Sequence, residues 1–494
     1  MQFISIYFVL FFIILLIGYY IFPEKKYQYI FILIGNLLFY ISWMNDIRDI
    51  IVMLFVVLIT SGGGILLEKC DTKAKSKTVC ILVIIFSLLF LIYFKYSSFI
   101  IHHLNPFLMI TGKSMPGYTM PVPVGISFYT FQAIGYFIDV YRKKMIPEKN
   151  IIRYAAFVTF FPVIVSGPIS RADSLLMQMK DKEGKCFSYE NLRSGLTTTL
   201  YGAFAKLVIA DRLAVIADTV FNSYKSYGGF ILFFASVCYT LQIYCDFSSY
   251  SFMAVGISRI MGYHVMENFK APYFAESIQE FWRRWHISLS TWFRDYVYIP
   301  LGGNRCSRFR KNLNLLLTFL VSGLWHGANW TFLFWGCLHG MYQIMGNIVR
   351  PFRERLMKKW NMGEQCFSSR FWKKLFIFLC VSTAWIFFRS DSIQDAFGYI
   401  GRMVMRPGIQ DILNGKIYSL GLNKLQMDIL FLSLLFFAFL DYRKYKYDTN
   451  LDEMLSRQDF LFRCLVLCGL FLATFVFGMY GPAFHAQDFI YFHF

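Results

Sequence analysis

Residues 280–305 read EFWRRWHISLSTWFRDYVYIPLGGNR, and residues 315–340 read LLLTFLVSGLWHGANWTFLFWGCLHG. The first stretch is crowded with aromatics and arginines and ends in Pro300 and a Gly302-Gly303 turn. The second is apolar enough to lie in lipid, yet carries His326 in its middle. A histidine at membrane depth is costly unless it faces a partner or a water-filled cavity, so it is a functional candidate by default.

Of 494 residues, 57% are hydrophobic, 20% aromatic and only 16% charged, where a soluble chain carries about 25% charged residues. Apolar runs of roughly 18–22 residues recur, each long enough to cross ~30 Å of hydrocarbon. These observations define an all-α, polytopic integral membrane protein of about ten or eleven transmembrane helices plus re-entrant segments. The formal charge of +19 would suggest nucleic-acid binding in a soluble domain. Here the basic residues sit in short loops between apolar runs, the positive-inside pattern. Membrane lipids are therefore the expected surroundings, and no nucleic-acid partner is expected. The eleven cysteines form no CxxC pair. Cys80, Cys238, Cys380, Cys464 and Cys468 lie inside apolar runs and read as small buried hydrophobes, with neither a disulfide framework nor a metal site.

The N-terminal MQFISIYFVLFFIILLIGYYIF lacks a basic flank and an A-x-A site, and reads as a retained first span. That span is placed at residues 3–22, and further ones are expected at 27–43, 50–67, 78–94 and 124–140. The loop at 24–26 is basic, that at 45–49 is not, and that at 69–77 is strongly basic. The alternation puts the N-terminus outside, and Tyr141, Arg142, Lys143 and Lys144 on the cytoplasmic side. After Phe94 comes a broken apolar stretch with His102, His103 and Pro106, then a Gly/Pro-rich segment to Pro123. Residues 154–169 are apolar but short, carry Pro162, Gly167 and Pro168, and are basic on both flanks. They read as a re-entrant segment walling a central chamber. Two long mixed runs follow at 194–221 and 228–257, the second carrying Asp246. That aspartate suits an N-cap for a helix restarting at Phe247, or a place in the chamber. A basic, amphipathic linker covers 347–374, and three more spans fall near 375–388, 425–440 and 462–478. The chain divides into N-terminal spans (1–150), a core (151–345) and C-terminal spans (346–494) of a single integral domain.

On one continuous helix Trp282, Trp285, Leu289, Trp292 and Tyr296 would form an aromatic stripe. His286 lies one turn after Trp282 and one turn before Ser290. An interface helix explains the tryptophans and snorkelling arginines, but explains His286 and Asp295 poorly. His286 therefore reads as lining or orienting the site, against the alternative of a satisfied structural hydrogen bond. His326 is flanked by small residues, with Asn329 three positions on to orient the ring. On a continuous helix His339 stands ~220° from His326 and points to the other side. It reads as structural unless Gly327 or Gly336 kinks the chain. His102, His103, His264, His485 and His493 read as loop or terminus residues. A neutral imidazole in an apolar chamber can serve as general base, because desolvation disfavours the imidazolium. Acyl transfer from an activated thioester to a hydroxyl is chemistry that needs one such base. The sequence holds no G-x-S-x-G elbow and no HExxH motif. Trp285, Ser290, Arg294, Asp295, Trp325, Asn329 and Asp246 are the expected substrate-contacting residues beside the catalytic pair His326 and His286.

The runs Phe281-Trp282-Arg283-Arg284-Trp285-His286, Tyr298-Ile299-Pro300-Leu301-Gly302-Gly303-Asn304-Arg305 and Leu324-Trp325-His326-Gly327-Ala328 resemble those of the membrane-bound O-acyltransferases. Within that family they are most similar to the bacterial subfamily of the alginate O-acetyltransferase membrane subunit and its peptidoglycan-acetylating relatives. Supporting runs are PVGISFYTFQAIGYFIDVYR (123–142), FPVIVSGPISR (161–171), WIFFR (385–389) and FIYFHF (489–494). The resemblance implies a ring of membrane helices around a thinned centre and a tunnel, with His326 essential and His286 second. It implies no tightly bound cofactor. The cosubstrate would be an acyl thioester, acetyl-CoA or a carrier-protein thioester. It also implies an extracytoplasmic SGNH-type transferase or esterase as partner, an acyl-carrier protein where the donor is one, and a place in the cell membrane. Relatives carry a glycine and a second aspartate where this chain has Ser249 and Phe252, and Phe-Gln-Phe where it ends in Phe-His-Phe. The Leu-Gly-Gly-Asn-Arg run favours the polysaccharide-acetylating branch over the D-alanyl transfer protein of teichoic acids. A non-enzymatic exporter of lipid-linked sugar is the contrasting class, but the paired half-repeats common in transporters are missing from the sequence.

Overall fold

The computed structural model describes residues 1–22, 24–110, 121–180, 184–359, 366–408 and 410–480. The Gly/Pro-rich stretch at 111–120 and the C-terminal FIYFHF, with His485 and His493, lie outside them. Among the described residues the regular structure is helical, without strands. The helices are α1 (Ile6–Ile21), α2 (Lys25–Ile41), α3 (Ile47–Glu68), α4 (Lys73–Ile110), α5 (Ile126–Tyr141), α6 (Ile151–Val158), α7 (Phe161–Ile164), α8 (Met177–Lys180), α9 (Tyr189–Phe204), α10 (Asp211–Phe221) and α11 (Gly229–Ile260). They continue as α12 (Ile278–Arg284), α13 (Ile287–Phe293), α14 (Arg308–His326), α15 (Trp330–Lys359), α16 (Phe367–Arg389), α17 (Ile393–Met405), α18 (Gln410–Leu413), α19 (Lys424–Tyr447), α20 (Leu451–Ser456) and α21 (Phe460–Phe477).

Six of them, α3, α4, α11, α16, α19 and α21, are long and apolar enough to cross a membrane, and α1 and most of α2 are shorter apolar helices. Their outward surfaces stay apolar, as in α21, where Leu461, Leu465, Phe471 and Phe475 are all exposed. That is the expected surface where lipid is the solvent. Cys80 and Cys238 are buried, whereas Cys468 is exposed on the same face of α21. Helix α4 corrects the expected break after Phe94: it continues through Pro106 and carries His102 and His103 on helix rather than loop. The expected basic linker at 347–374 is likewise mostly helix, because α15 continues through Pro351 to Lys359 and α16 begins at Phe367.

The chain packs as two compact units, one of residues 1–199 and 253–266, the other of 200–252 and 267–494. In the first, α6 is only eight residues long, ~12 Å, and cannot cross a bilayer. Residues 154–170 are buried without exception, so the open backbone between α6 and α7 needs internal partners. Asn36, buried on α2, supplies them. Its Nδ2 donates to the Ala156 carbonyl (3.1 Å) and the Thr159 hydroxyl (3.0 Å), and its Oδ1 accepts from the Phe161 N–H (2.9 Å). Gln132 on α5 does the same on the other flank, donating to the Phe157 carbonyl at 2.6 Å and accepting from the Ser170 N–H at 3.3 Å. The broken apolar segment persists at depth because two side-chain amides complete its hydrogen bonding.

In the second unit, residues 205–210 widen into a π-type turn before α10. Lys206 from that turn donates its Nζ proton to Asp246 Oδ1 at 2.7 Å and lies 2.9 Å from Asp211 Oδ1, all three side chains being buried. This corrects the expected helix restart at Phe247: α11 runs unbroken from Gly229 to Ile260, and Asp246 sits in its interior as an ion-pair partner. The adjacent Arg212 donates to the carbonyls of Val208 (2.9 Å) and Phe477 (2.6 Å), tying α21 to the π-type turn. A buried ion pair contributes little net stability, but removing one partner leaves an uncompensated charge costing roughly 3–5 kcal/mol. Lys206→Met is therefore expected to lower the detergent-solubilised protein's melting temperature and its membrane abundance sharply. The double variant Lys206→Met/Asp246→Asn should recover part of that loss. Melting curves of the two variants measure it, and equal loss in both contradicts the pairing.

Candidate active site

His326 is the last residue of α14 and is 3% exposed. Its imidazole is boxed by rings, edge-on to Trp335 (centroids 5.0 Å), Trp325 (5.0 Å) and Phe388 (5.4 Å). The chain then leaves the helix through Gly327 in extended backbone. Glycine is required there for space, since a Cβ would run into the Phe332 ring. Asn329 does not orient His326. Its Oδ1 accepts from the Thr331 N–H and its Nδ2 donates to the Asp391 carbonyl, both at 3.1 Å, so it starts α15.

The break corrects the continuous-helix reading of residues 313–339. α15 folds back along α14, with Gly323 and Gly336 at the crossing: a Cβ on Gly323 would strike the Phe332 carbonyl, and one on Gly336 the Phe319 carbonyl. Small residues at a crossing let two backbones approach closely. His339 is thereby brought to the same aromatic cluster as His326 instead of the opposite side. Trp335 lies 4.9 Å from the His339 ring, and the Trp282 Nε1–H donates to His339 Nδ1 at 3.2 Å.

The expected stripe helix is also broken. Trp285 is extended, and His286 adopts a left-handed conformation (φ 42°) between α12 and α13. A left-handed side-chain-bearing residue costs on the order of 1–3 kcal/mol and persists where its surroundings hold it. The Asn268 carbonyl accepts from the Ile287 N–H at 2.9 Å, and Asn268 Oδ1 accepts from the Ser288 N–H at 3.3 Å. The turn aims the fully buried His286 ring at Phe247 (4.6 Å) and Trp325 (6.0 Å). The two imidazoles thus flank one indole.

The remaining expected residues divide. Trp325 is in the cluster. Trp285 turns to a neighbouring aromatic layer, 5.1 Å from Trp385 and 5.0 Å from Phe269. Asp246 adjoins the site through its neighbour Phe247. Ser290, whose hydroxyl donates to the Trp285 carbonyl at 3.2 Å, and Arg294 line a cleft of about 680 Å³ beside the cluster. Arg294 pairs with Asp295 at 2.8 Å, with side chains 59% and 26% exposed, at the rim rather than against either histidine. Trp282 and Phe319 line the same cleft and also contact His339, at 5.0 and 6.3 Å. Sequence reasoning missed Lys206, although a lysine inside the apolar run YGAFAKLVIA is the same signal that singled out Asp246. It also missed Phe247, Trp335 and Phe388, whose aromatic identity is common throughout the chain. Phe252 packs its ring 5.1 Å from that of Tyr201.

Residues 148–390 match the membrane-bound O-acyltransferase family. The probable alginate O-acetylase of Pseudomonas putida is 36% identical over 90% of this chain and 88% of its own length. The peptidoglycan O-acetyltransferase of Helicobacter pylori is 31% identical over 77% of this chain and 74% of its own. A teichoic acid D-alanyltransferase of Bacillus subtilis is more distant, 27% identical over 54% of this chain and 67% of its own. Identity at that level over nearly the whole chain, joined to the apolar helices, makes this multi-pass membrane protein an O-acyltransferase and a member of the membrane-bound O-acyltransferase family.

Proposed function

We propose that the protein moves an acyl group, acetyl before any other, from a cytoplasmic thioester across the membrane for O-acetylation of an extracytoplasmic polysaccharide, with His326 as the catalytic residue. The observation that carries this is the place of that imidazole. It closes α14 inside a box of aromatic rings, one helical turn beyond Ser322 of the cleft. His326 takes the proton of the acceptor hydroxyl as its oxygen attacks the thioester carbonyl; the thiolate leaves and is protonated. His286, behind Trp325, acts second, holding the indole and the chamber wall. An SGNH-type transferase outside the membrane is the expected recipient of the acetyl group. D-alanyl transfer to teichoic acid ranks lower, since similarity to that branch is weaker and covers less of the chain.

His326→Ala is expected to reduce acyl transfer by at least ~10²-fold, the lower end of a general base's contribution, while protein abundance and insertion stay unchanged. His286→Ala should lose less. Polymer acetylation measured in cells complemented with each variant decides this, and wild-type acetylation by His326→Ala sinks the assignment. His339 is assigned the structural part, because its Nδ1 is taken by the Trp282 N–H. Asn offers an oxygen near the Nδ1 position, so His339→Asn should keep activity within a few-fold. His339→Leu orphans the Trp282 donor and should cost roughly 1–3 kcal/mol of stability, read as a lower melting temperature. The alternation of loop charge supports an outside N-terminus. Alkaline phosphatase fused after residue 45 should then be active, and after residue 72 inactive; the reverse pattern inverts the topology.

A further inference from the structure

Helix α19 has two distinct faces. Leu430, Ser433, Phe437, Leu440 and Asp441 are buried. Phe431, Leu432, Leu435, Phe439 and Tyr442 are exposed on the opposite side, at the spacings of three and four that make one stripe. At 1.5 Å per residue the stripe runs ~17 Å, about half of the ~30 Å of hydrocarbon in a bilayer. Arg443 and Lys446 continue it by one more turn.

The charges at this helix end follow the same division. Lys444, on the inner side, lies 2.9 Å from Glu267 and 3.1 Å from Asp448, and Lys270 meets the other oxygen of Asp448 at 3.2 Å. Asp441 accepts from the Tyr244 hydroxyl at 2.9 Å. These carboxylates are engaged inward, and among the described residues none pairs with Arg443 or Lys446. The Arg443 guanidinium instead lies over the Tyr447 ring at 4.5 Å. The Lys446 ammonium lies over Tyr447 at 5.2 Å and Tyr442 at 5.8 Å. A guanidinium stacked on a ring keeps the N–H groups at its edge directed outward, in the fork that suits a phosphate.

The same end gathers further cations. Lys373 and Lys374 sit in the first two turns of α16, with Lys374 4.2 Å from the Tyr445 ring. Basic residues at one end of two spans mark the cytoplasmic side, where the leaflet surface is negative.

We propose that this face of α19 binds one anionic glycerophospholipid of the cytoplasmic leaflet, its phosphate on Arg443 and Lys446 and an acyl chain along Phe439, Leu435 and Leu432. A soluble phosphate would leave the apolar stripe unused. A zwitterionic lipid would bring a third cation to two that lack a counter-ion. The consequence reaches the aromatic layer beside the histidines, since Phe437 on the inner face meets Tyr244 at 5.4 Å and Tyr244 meets Trp285 at 5.9 Å. A lipid that holds α19 in place steadies that layer.

The test is native mass spectrometry of the full chain in detergent, titrated with phosphatidylglycerol and with phosphatidylcholine. Phosphatidylglycerol is expected to bind at least ~10-fold more tightly, the contribution of two cations near a membrane surface. Glycerol phosphate, the headgroup without chains, should not displace it. Arg443→Gln/Lys446→Gln should lower phosphatidylglycerol binding to the level of phosphatidylcholine. Lys358→Gln/Lys359→Gln removes the same charge from exposed residues at the end of α15 and should keep the preference. Phosphatidylglycerol should raise the melting temperature of the parent and of the α15 variant, and leave that of the α19 variant unchanged. None of these readouts depends on acyl transfer. Equal affinity of the parent for the two lipids, or equal loss of preference in both variants, overturns the proposal. So does tight binding of an acidic acyl-carrier protein that the α19 variant abolishes, which would make this face a protein-docking surface.

Discussion

The reversal at Gly327 is the constraint on which the site depends. A continuous helix through residues 313–339 would carry His326 and His339 on opposite sides. The break instead folds α15 along α14, with Gly323 and Gly336 where the backbones cross. That crossing sets Trp335 5.0 Å from one imidazole and 4.9 Å from the other, and stacks it against Trp385 at 5.6 Å. Each of these rings is fixed by the approach of two backbones, so a bulkier residue at either glycine moves the whole cluster. The left-handed turn at His286 completes the arrangement by bringing a second imidazole to Trp325 from a different part of the chain.

A membrane-embedded protein can break helices in this way only by satisfying the freed polar groups internally. Three local solutions recur. Asn36 and Gln132 complete the backbone between α6 and α7. Asn268 serves the N–H groups after His286. Asn329 caps the start of α15. Each is a side-chain amide, which offers donor and acceptor without a charge to desolvate. Where charges are used, as with Lys206, Asp211 and Asp246, opposite signs meet within 2.9 Å. Strain and polarity concentrate where helices break, and the catalytic candidates sit at those same breaks.

This explains what could be read from the residues alone. Apolar runs are a one-dimensional signal, so most long helices were legible, as was the short buried segment at 154–169. His326 stood out because its cost in an apolar run is visible without knowing its neighbours. The break at Trp285–His286 was hidden, and that at Gly327 was only one of two possible kinks, because the apolar spacing continues across both and mimics one helix. Only the tertiary partners, Asn268 for the first turn and the glycine crossing for the second, favour interruption. Of the two readings of Asp246, cap or chamber, the cap fails for the same reason. Its partner lies forty residues away in Lys206, and a lone acid near serines offers the local reading first. Asn329 was near enough in sequence to seem a ring-orienting residue, yet the amide is taken by the new helix start.

The end of α14 has one further property relevant to a base. Its aligned peptide dipoles place partial negative charge at the C-terminus, where a cation is favoured by about 0.3–1 kcal/mol at exposed sites and up to ~2 kcal/mol when partly buried. His326 is that terminal residue. In the proposed reaction, the charge that appears as it accepts a hydroxyl proton lies at the point where the dipole can meet it. Stabilisation that is realised only as charge develops lowers the barrier rather than the ground state. The same helix begins near the basic cleft, with Lys311 in its first turn and Arg308 at its start. One rigid element therefore fixes the distance between the basic cleft and His326, and it does so through backbone hydrogen bonds rather than flexible side chains.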